Sequence, residues 1–107
     1  MFLGLDISTS ITGISLINAR GEVLICDHID TRKTKSFFEK IEIIKKYLEL
    51  HRYTQAAIRE IWIEQSLQSF RSGFSSAQTL STLARFNGAV SWVLYQFYGM
   101  EPQYIAA

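Results

Sequence analysis

Two short apolar segments, far apart in the chain, each carry a carboxylate at or near their end. Asp6 lies within the apolar run at residues 2–7, which is followed directly by a hydroxyl-rich turn. Glu64 ends a second apolar run at residues 61–64. Burying a carboxylate in an apolar strand costs free energy unless a partner compensates its charge. The two acids therefore suggest a divalent-metal site, and the alternative is that each acid caps or hydrogen-bonds the local backbone.

The order of apolar segments, turns and helical patterns predicts one α/β domain over residues 1–107. Hydrophobic residues make up 48% of the chain, which is enough for a modest core. Short turns predict that the first three strands form an antiparallel meander. A helix then separates them from the fourth strand, which can lie parallel to the first. The predicted strands are at 2–7, 13–17, 22–29, 58–64 and 103–106, and the predicted helices begin near Ser36 and near residue 75.

The second predicted helix carries more apolar surface than one contact requires. One stripe contains Leu80, Leu83, Leu94 and Tyr98, and another contains Phe86, Val90, Val93 and Phe97. One stripe must cover the sheet, and the other needs a further partner. The sequence leaves two alternatives open, namely a helix buried on both sides within one monomer and a helix that contacts a second subunit. We favour the second alternative.

Composition excludes several classes of protein. No apolar run reaches the roughly 18 residues that a membrane span needs, and the first residues lack the pattern of a signal peptide. The single cysteine, Cys26, cannot form an internal disulfide and is expected to be buried, which fits a cytoplasmic protein. The formal net charge of +1 neither demands nor excludes a nucleic-acid partner.

Four segments resemble RuvC-type Holliday-junction resolvases, and they occur in the order found in that family. They are Gly4-Leu5-Asp6-Ile7-Ser8-Thr9-Ser10-Ile11-Thr12-Gly13, Ile63-Glu64-Gln65, Leu83-Ala84-Arg85-Phe86-Asn87-Gly88-Ala89, and Tyr104-Ile105-Ala106-Ala107. The resemblance implies a ribonuclease H-like fold with a mixed sheet, in which strands 1–3 are antiparallel and strands 4 and 5 are parallel. It also implies a homodimer, Mg²⁺ or Mn²⁺ ions, and paired nicking of four-way DNA junctions.

The same resemblance assigns roles to individual residues. Asp6 and Glu64 match two catalytic, metal-binding acids. The second helix would form the dimer interface, and the loop after Glu64 would face the junction. The implied interface residues are Phe86, Ala89, Val90, Val93 and Phe97, and the implied DNA contacts are Ser8, Leu67, Phe70, Arg71 and Phe74.

This chain also departs from the family pattern. The family commonly has glycine where this chain has Ser8, and an aromatic residue where it has Leu67. Two further aspartate ligands come from a C-terminal helix in the family, and nothing in residues 1–107 matches them. We therefore expect a chain that lacks its C-terminal part, binds divalent metal weakly and cuts DNA poorly.

Three other interpretations remain open. The Asp6 segment also resembles the first phosphate loop of sugar kinases and actin-like ATPases, although their two domains need more than 107 residues. A non-catalytic ribonuclease H-like module that dimerises or binds nucleic acid is a second alternative. Activity on RNA–DNA hybrids is a third, because one fold hosts many nucleases.

Overall fold

The computed structural model describes residues 1–51, 57–65 and 77–106, which form a five-stranded mixed sheet and two helices. The strands come close to their predicted bounds, with β5 at the predicted positions. In chain order the elements are β1 (Phe2–Asp6), β2 (Ile11–Ile17), β3 (Val23–Asp30), α1 (Phe37–His51), β4 (Glu60–Gln65), α2 (Ala77–Tyr98) and β5 (Gln103–Ala106).

The strand order in the sheet is β3-β2-β1-β4-β5. β1 pairs antiparallel with β2, and β2 pairs antiparallel with β3. β4 pairs parallel with β1 on one side and with β5 on the other. Before each parallel strand begins, the chain must return from one end of the sheet to the other. α1 lies in the connection from β3 to β4, and α2 lies in the connection from β4 to β5. The mixed sheet predicted from the sequence is therefore confirmed.

Both helices pack against the same face of the sheet. Along β1, Leu3 and Leu5 are buried, whereas Phe2 and Gly4 are half-buried and Asp6 is exposed. This alternation follows from the twofold repeat of a strand, which sends neighbouring side chains to opposite faces. In the described part of the chain no element covers the second face. The core of the helix-covered face is formed by the buried side chains of Leu3, Leu5, Ile14, Leu16, Ile41, Ile44, Leu48, Ile61, Ile63, Phe86, Val90 and Leu94.

The buried stripe of α2 differs from the prediction. Phe86, Val90, Leu94 and Tyr98 recur every four residues and are all buried. The Phe86 ring meets the ring of Phe37 on α1 edge to face, with the centroids 5.4 Å apart. Phe86 and Val90 are fully buried within this chain, so neither exposes a surface that a second subunit could contact. Their predicted place at a dimer interface is therefore wrong.

Ala89, Val93 and Phe97 also pack partly against the core. The exposed side of α2 instead carries Gly88, Trp92 and Tyr95. Any contact of α2 with a second subunit would therefore use this exposed side first.

Cys26 is exposed, which contradicts the expectation that it is buried. It lies on β3, which is an edge strand of the sheet, and it pairs in register with Ser15. Ser15 in turn pairs with Gly4, which lies on the face without helices. Cys26 is therefore exposed because it lies on an edge strand and faces the side of the sheet that carries no helix in the described part of the chain.

Candidate active site

Asp6 and Glu64 are direct register partners on the adjacent parallel strands β1 and β4. Neighbouring strands lie about 4.8 Å apart, and residues in register point to the same face of the sheet. Both acids line one cavity, on the face without helices. The sequence predicted this convergence at one rim, and the role of the two acids as metal ligands stays a prediction.

The two carboxylates have no compensating partner in the described part of the chain. Asp6 is exposed and Glu64 is half-buried. Within residues 1–51, 57–65 and 77–106, neither carboxylate accepts a hydrogen bond or forms an ion pair. The alternative that each acid simply hydrogen-bonds the local backbone therefore has no support among these residues. Two like charges this close repel each other, and a cation between them would relieve the repulsion.

Small residues leave room beside the acid pair. The cavity has a volume of about 430 Å³, and Gly4, Gly13 and Trp62 contribute to its lining. A Cβ atom at Gly4 would come within 2.9 Å of the Ser15 hydroxyl oxygen, which is closer than such contacts allow. A larger residue at position 4 would therefore crowd Ser15 in the lining of this cavity.

The turn after β1 is held by hydroxyl groups from two other segments. The Thr12 hydroxyl donates to the Ser8 carbonyl oxygen at 3.1 Å. The Thr31 hydroxyl lies 2.9 Å from the Thr9 carbonyl oxygen and 3.0 Å from that of Ser10. Both threonines are buried, with 0% and 1% of their surface exposed. Buried hydroxyls that satisfy backbone carbonyls are costly to remove, so this turn is fixed next to the acid pair.

Lys40 contacts this turn directly, and Arg85 contacts Thr82, which lines a cavity together with Ser8 and Thr9. The sequence analysis missed both. The Lys40 ammonium of α1 donates to the Thr9 carbonyl oxygen. The Arg85 guanidinium of α2 donates to the Thr82 hydroxyl at 3.3 Å. On sequence alone each looks like an ordinary charged residue of an amphipathic helix. Lys40 reaches the turn because α1 packs beside it, whereas Arg85 contacts Thr82 three positions earlier on its own helix.

The acid pair is compatible with Mg²⁺ or Mn²⁺. Both ions prefer oxygen ligands, and Mg²⁺ commonly keeps several waters while one or two carboxylates and substrate phosphates complete its shell. Across the described ranges, no group of three or more His, Cys, Asp or Glu side chains is placed to hold a metal. Asp6 and Glu64 would therefore supply two of the ligands, and the remaining ligands would come from elsewhere.

Of the predicted DNA contacts, only Ser8 falls in a described range. It lies in the turn after β1, where its hydroxyl accepts a hydrogen bond of 3.2 Å from the Ser10 amide. Leu67, Phe70, Arg71 and Phe74 lie outside the described residues. Their roles stay predictions.

The strand order and the helices on one face define a ribonuclease H-like fold. The solved structures that resemble the chain include two of RuvC from Thermus thermophilus. RuvC in complex with a Holliday junction substrate matches with a TM-score of 0.74 and 13% sequence identity, over 98% of this chain and 63% of that one. A second RuvC structure matches with a TM-score of 0.60 and 15% identity, over 98% of this chain and 60% of that one.

These matches confirm the fold that the sequence resemblance predicted. The chain spans less than two thirds of the length of either RuvC structure. No family model and no curated protein sequence matches it. Among the described residues, no helix is long and apolar enough to cross a membrane.

Proposed function

We propose that this chain forms the acid-bearing part of a metal-dependent, structure-selective endonuclease that acts on branched DNA in the cytoplasm. One observation carries the proposal. Asp6 and Glu64 pair in register and have no compensating partner in the described part of the chain. The chain also shares its fold with RuvC, one structure of which is a complex with a Holliday junction.

Asp6 and Glu64 would hold the divalent cation through their carboxylate oxygens, at the cavity that both residues line. A bound Mg²⁺ or Mn²⁺ supplies Lewis-acid stabilisation of phosphoryl oxygens and an acidified water. The fixed turn at residues 8–10 would position Ser8 against the DNA backbone. We propose that the further oxygen ligands lie on an additional element that covers the face without helices, because that face carries the acids and is open among the described residues.

The exposed side of α2 is the proposed contact with a second subunit. Trp92 and Tyr95 are 58% and 42% exposed, and their rings stack with centroids 5.7 Å apart. A Cβ atom at Gly88 would have no neighbour within 4 Å among the described residues, so a partner can approach the helix closely there. Exposed aromatic residues of this size are enriched in protein interfaces. If Trp92→Ala left the sedimentation of a dimeric protein unchanged, this contact would be wrong.

Titration with Mn²⁺ tests the metal site directly. We expect weak binding by the wild-type chain, and loss of that binding in Asp6→Asn and Glu64→Gln. Glu60→Gln is the matched control, because Glu60 lies at the other end of β4 and pairs in register with Phe2. Binding that survives both substitutions in the acid pair would refute the proposed metal site.

A nicking assay on a labelled four-way junction separates cutting from binding. We expect little cleavage by the 107-residue chain, because its described residues supply only two of the acids. Junction binding without metal-dependent nicking, in this chain and in any longer form, would favour the alternative of a non-catalytic nucleic-acid-binding module. Nicking that Asp6→Asn abolishes, while junction binding persists, would support the endonuclease.

A further inference from the structure

A second cavity lies at the turn that follows β1. Its volume is about 400 Å³, and it lies between the turn and the first part of α2. The lining is rich in neutral hydrogen-bonding groups and contains no carboxylate among the described residues. The lining residues are Ser8, Thr9, Gln78, Thr79, Thr82 and Leu83.

Two cations contact the lining of this cavity from different helices. The Lys40 ammonium bonds to the carbonyl oxygen of Thr9, and the Arg85 guanidinium bonds to the hydroxyl of Thr82. Arg85 also lies over the ring of Phe37, 5.9 Å from its centroid. Phe37 and Lys40 are three positions apart on α1, so they share one face of that helix. The two cations therefore belong to one region of the surface.

Neither cation is neutralised by a carboxylate. Within residues 1–51, 57–65 and 77–106, the ion pairs involve Arg20, His28 and Arg32, and neither Lys40 nor Arg85 takes part in one. Hydroxyl and amide side chains together with Lys and Arg are the groups that proteins use to contact phosphate oxygens of nucleic acids. Their arrangement suits an anion with several oxygen atoms.

We infer that this cavity, flanked by Lys40 and Arg85, binds a backbone phosphate of the nucleic-acid strand next to the acid pair. The inference rests on the proposed function for its choice of ligand. The cavity and the acid pair are close along the chain, because Asp6 ends β1 and Ser8 and Thr9 follow it. A strand held here would pass beside the acids, and the cavity would position its phosphodiester backbone without reading its sequence.

The test compares DNA affinities of variants in EDTA, where metal binding cannot contribute. We would titrate a labelled four-way junction and a duplex of the same sequence against wild type, Lys40→Met and Arg85→Met at several salt concentrations. Each variant should bind both probes about 3- to 10-fold more weakly at low salt. Each should also reduce the slope of log K against log salt by about 1, as the loss of one phosphate contact does.

Two controls separate a site from general charge and from misfolding. Lys46→Met removes an exposed cation from the same helix and should leave the affinity within about twofold of wild type. Arg85→Lys keeps the charge and should recover most of the lost affinity if Arg85→Met acts through phosphate. Thermal melts identify a variant that is unfolded, and the cation variant that remains folded then decides the outcome.

The outcomes are distinct. If Lys40→Met and Arg85→Met match Lys46→Met, or if the wild-type chain binds neither DNA probe, the inference is overturned. The inference is also overturned if inorganic phosphate shifts the NMR amide signals of Thr9 and Thr82 but Lys40→Met and Arg85→Met bind DNA as tightly as wild type does. Suppose that Asp6→Asn binds Mn²⁺ as wild type does, while Lys40→Met and Arg85→Met bind DNA more weakly. That result would refute the proposed nuclease and leave the phosphate site supported.

Discussion

The buried hydroxyl of Thr31 donates a hydrogen bond of 2.9 Å to the carbonyl oxygen of Thr9 and so ties the end of the meander to the turn beside the acid pair. The same hydroxyl lies 3.0 Å from the Ser10 carbonyl oxygen, and the Thr31 amide donates to that oxygen at 2.8 Å. One residue therefore holds two consecutive peptide groups of the turn.

Thr31→Val should lower the free energy of unfolding by about 1 kcal/mol, because valine keeps the shape of threonine and loses its hydrogen bond. Urea denaturation measures the change. Amide hydrogen exchange at residues 8–10 should become faster in the variant. Thr31→Ser is the control, since it keeps the hydroxyl and should protect these amides as well as wild type does. Equal exchange in the valine variant and wild type would contradict the role of the hydroxyl.

Asp6→Asn should stabilise the metal-free chain. Like charges directly opposite each other on neighbouring strands are destabilising, and the effect of such pairs is about 0.2–1 kcal/mol. Thermal melts in EDTA at low ionic strength should therefore show a higher Tm for the variant. Adding Mg²⁺ should raise the Tm of wild type and not that of the variant, because a ligand stabilises only a protein that binds it. A lower Tm for Asp6→Asn in EDTA would contradict this account.

Phe86→Ala should lower the free energy of unfolding much more than Trp92→Ala, because Phe86 lies in the core and Trp92 on the surface of α2. Phe86 is fully buried, and truncating a buried phenylalanine costs about 3–5 kcal/mol. Trp92 is 58% exposed, so its truncation should change the stability of the monomer by about 0.5 kcal/mol or less. Urea denaturation at low protein concentration compares the two. A large loss for Trp92→Ala under those conditions would mean that the tryptophan packs within the monomer.

Alanine at two glycines should have effects of opposite sign. Gly88 lies within α2, and a Cβ atom there meets nothing within 4 Å among the described residues, so Gly88→Ala should stabilise the monomer by about 1 kcal/mol. Gly99 follows the helix with a φ of +72°, a conformation that alanine adopts at a cost of about 1–2 kcal/mol. Chemical denaturation of both variants measures the difference. Two changes of the same sign would contradict the assigned conformations.

The Asp30–Arg32 pair should make stability depend on pH. The Arg32 guanidinium donates to both carboxylate oxygens of Asp30 and holds the pKa of that carboxyl well below its usual value of 3.8. A carboxyl whose pKa is depressed by folding adds stability above its unfolded pKa, and that stability is lost as the pH falls towards the folded pKa.

Wild type should therefore be more stable than Asp30→Asn at pH 7, and the difference should shrink progressively below about pH 4. Both side chains are partly exposed to solvent, so the difference is modest and decreases with added salt. Urea titrations between pH 7 and pH 2 measure it. A difference that grows on acidification would have the wrong sign.

The sequence predicted the elements that depend on local patterns. Glycine marks such places in a sequence: Gly21 in the turn after β2 and Gly99 after α2 both have positive φ, which glycine tolerates best. The pairing of Asp6 with Glu64 was also predictable, because a helix between two strands allows them to be parallel, and parallel strands end at the same edge of a sheet.

Contacts between distant elements were harder to predict. The sequence assigned Phe86 and Leu94 to different stripes of α2, although both face the core. A helix with apolar residues on several sides does not reveal which side meets the sheet, and here the ring of Phe37 helps to fill the space around Phe86. The contact of Lys40 with Thr9 and that of Arg85 with the Phe37 ring likewise depend on where whole helices dock, and no local pattern encodes that.

The parallel pairing of β1 with β4 has a consequence for folding kinetics. It joins segments distant in sequence, so it can form only after the intervening stretch that contains α1 has closed. We therefore expect Asp6 and Glu64 to meet after the local β1-β2-β3 meander has formed. On that order of events, a cation that binds the two acids should slow unfolding without speeding refolding.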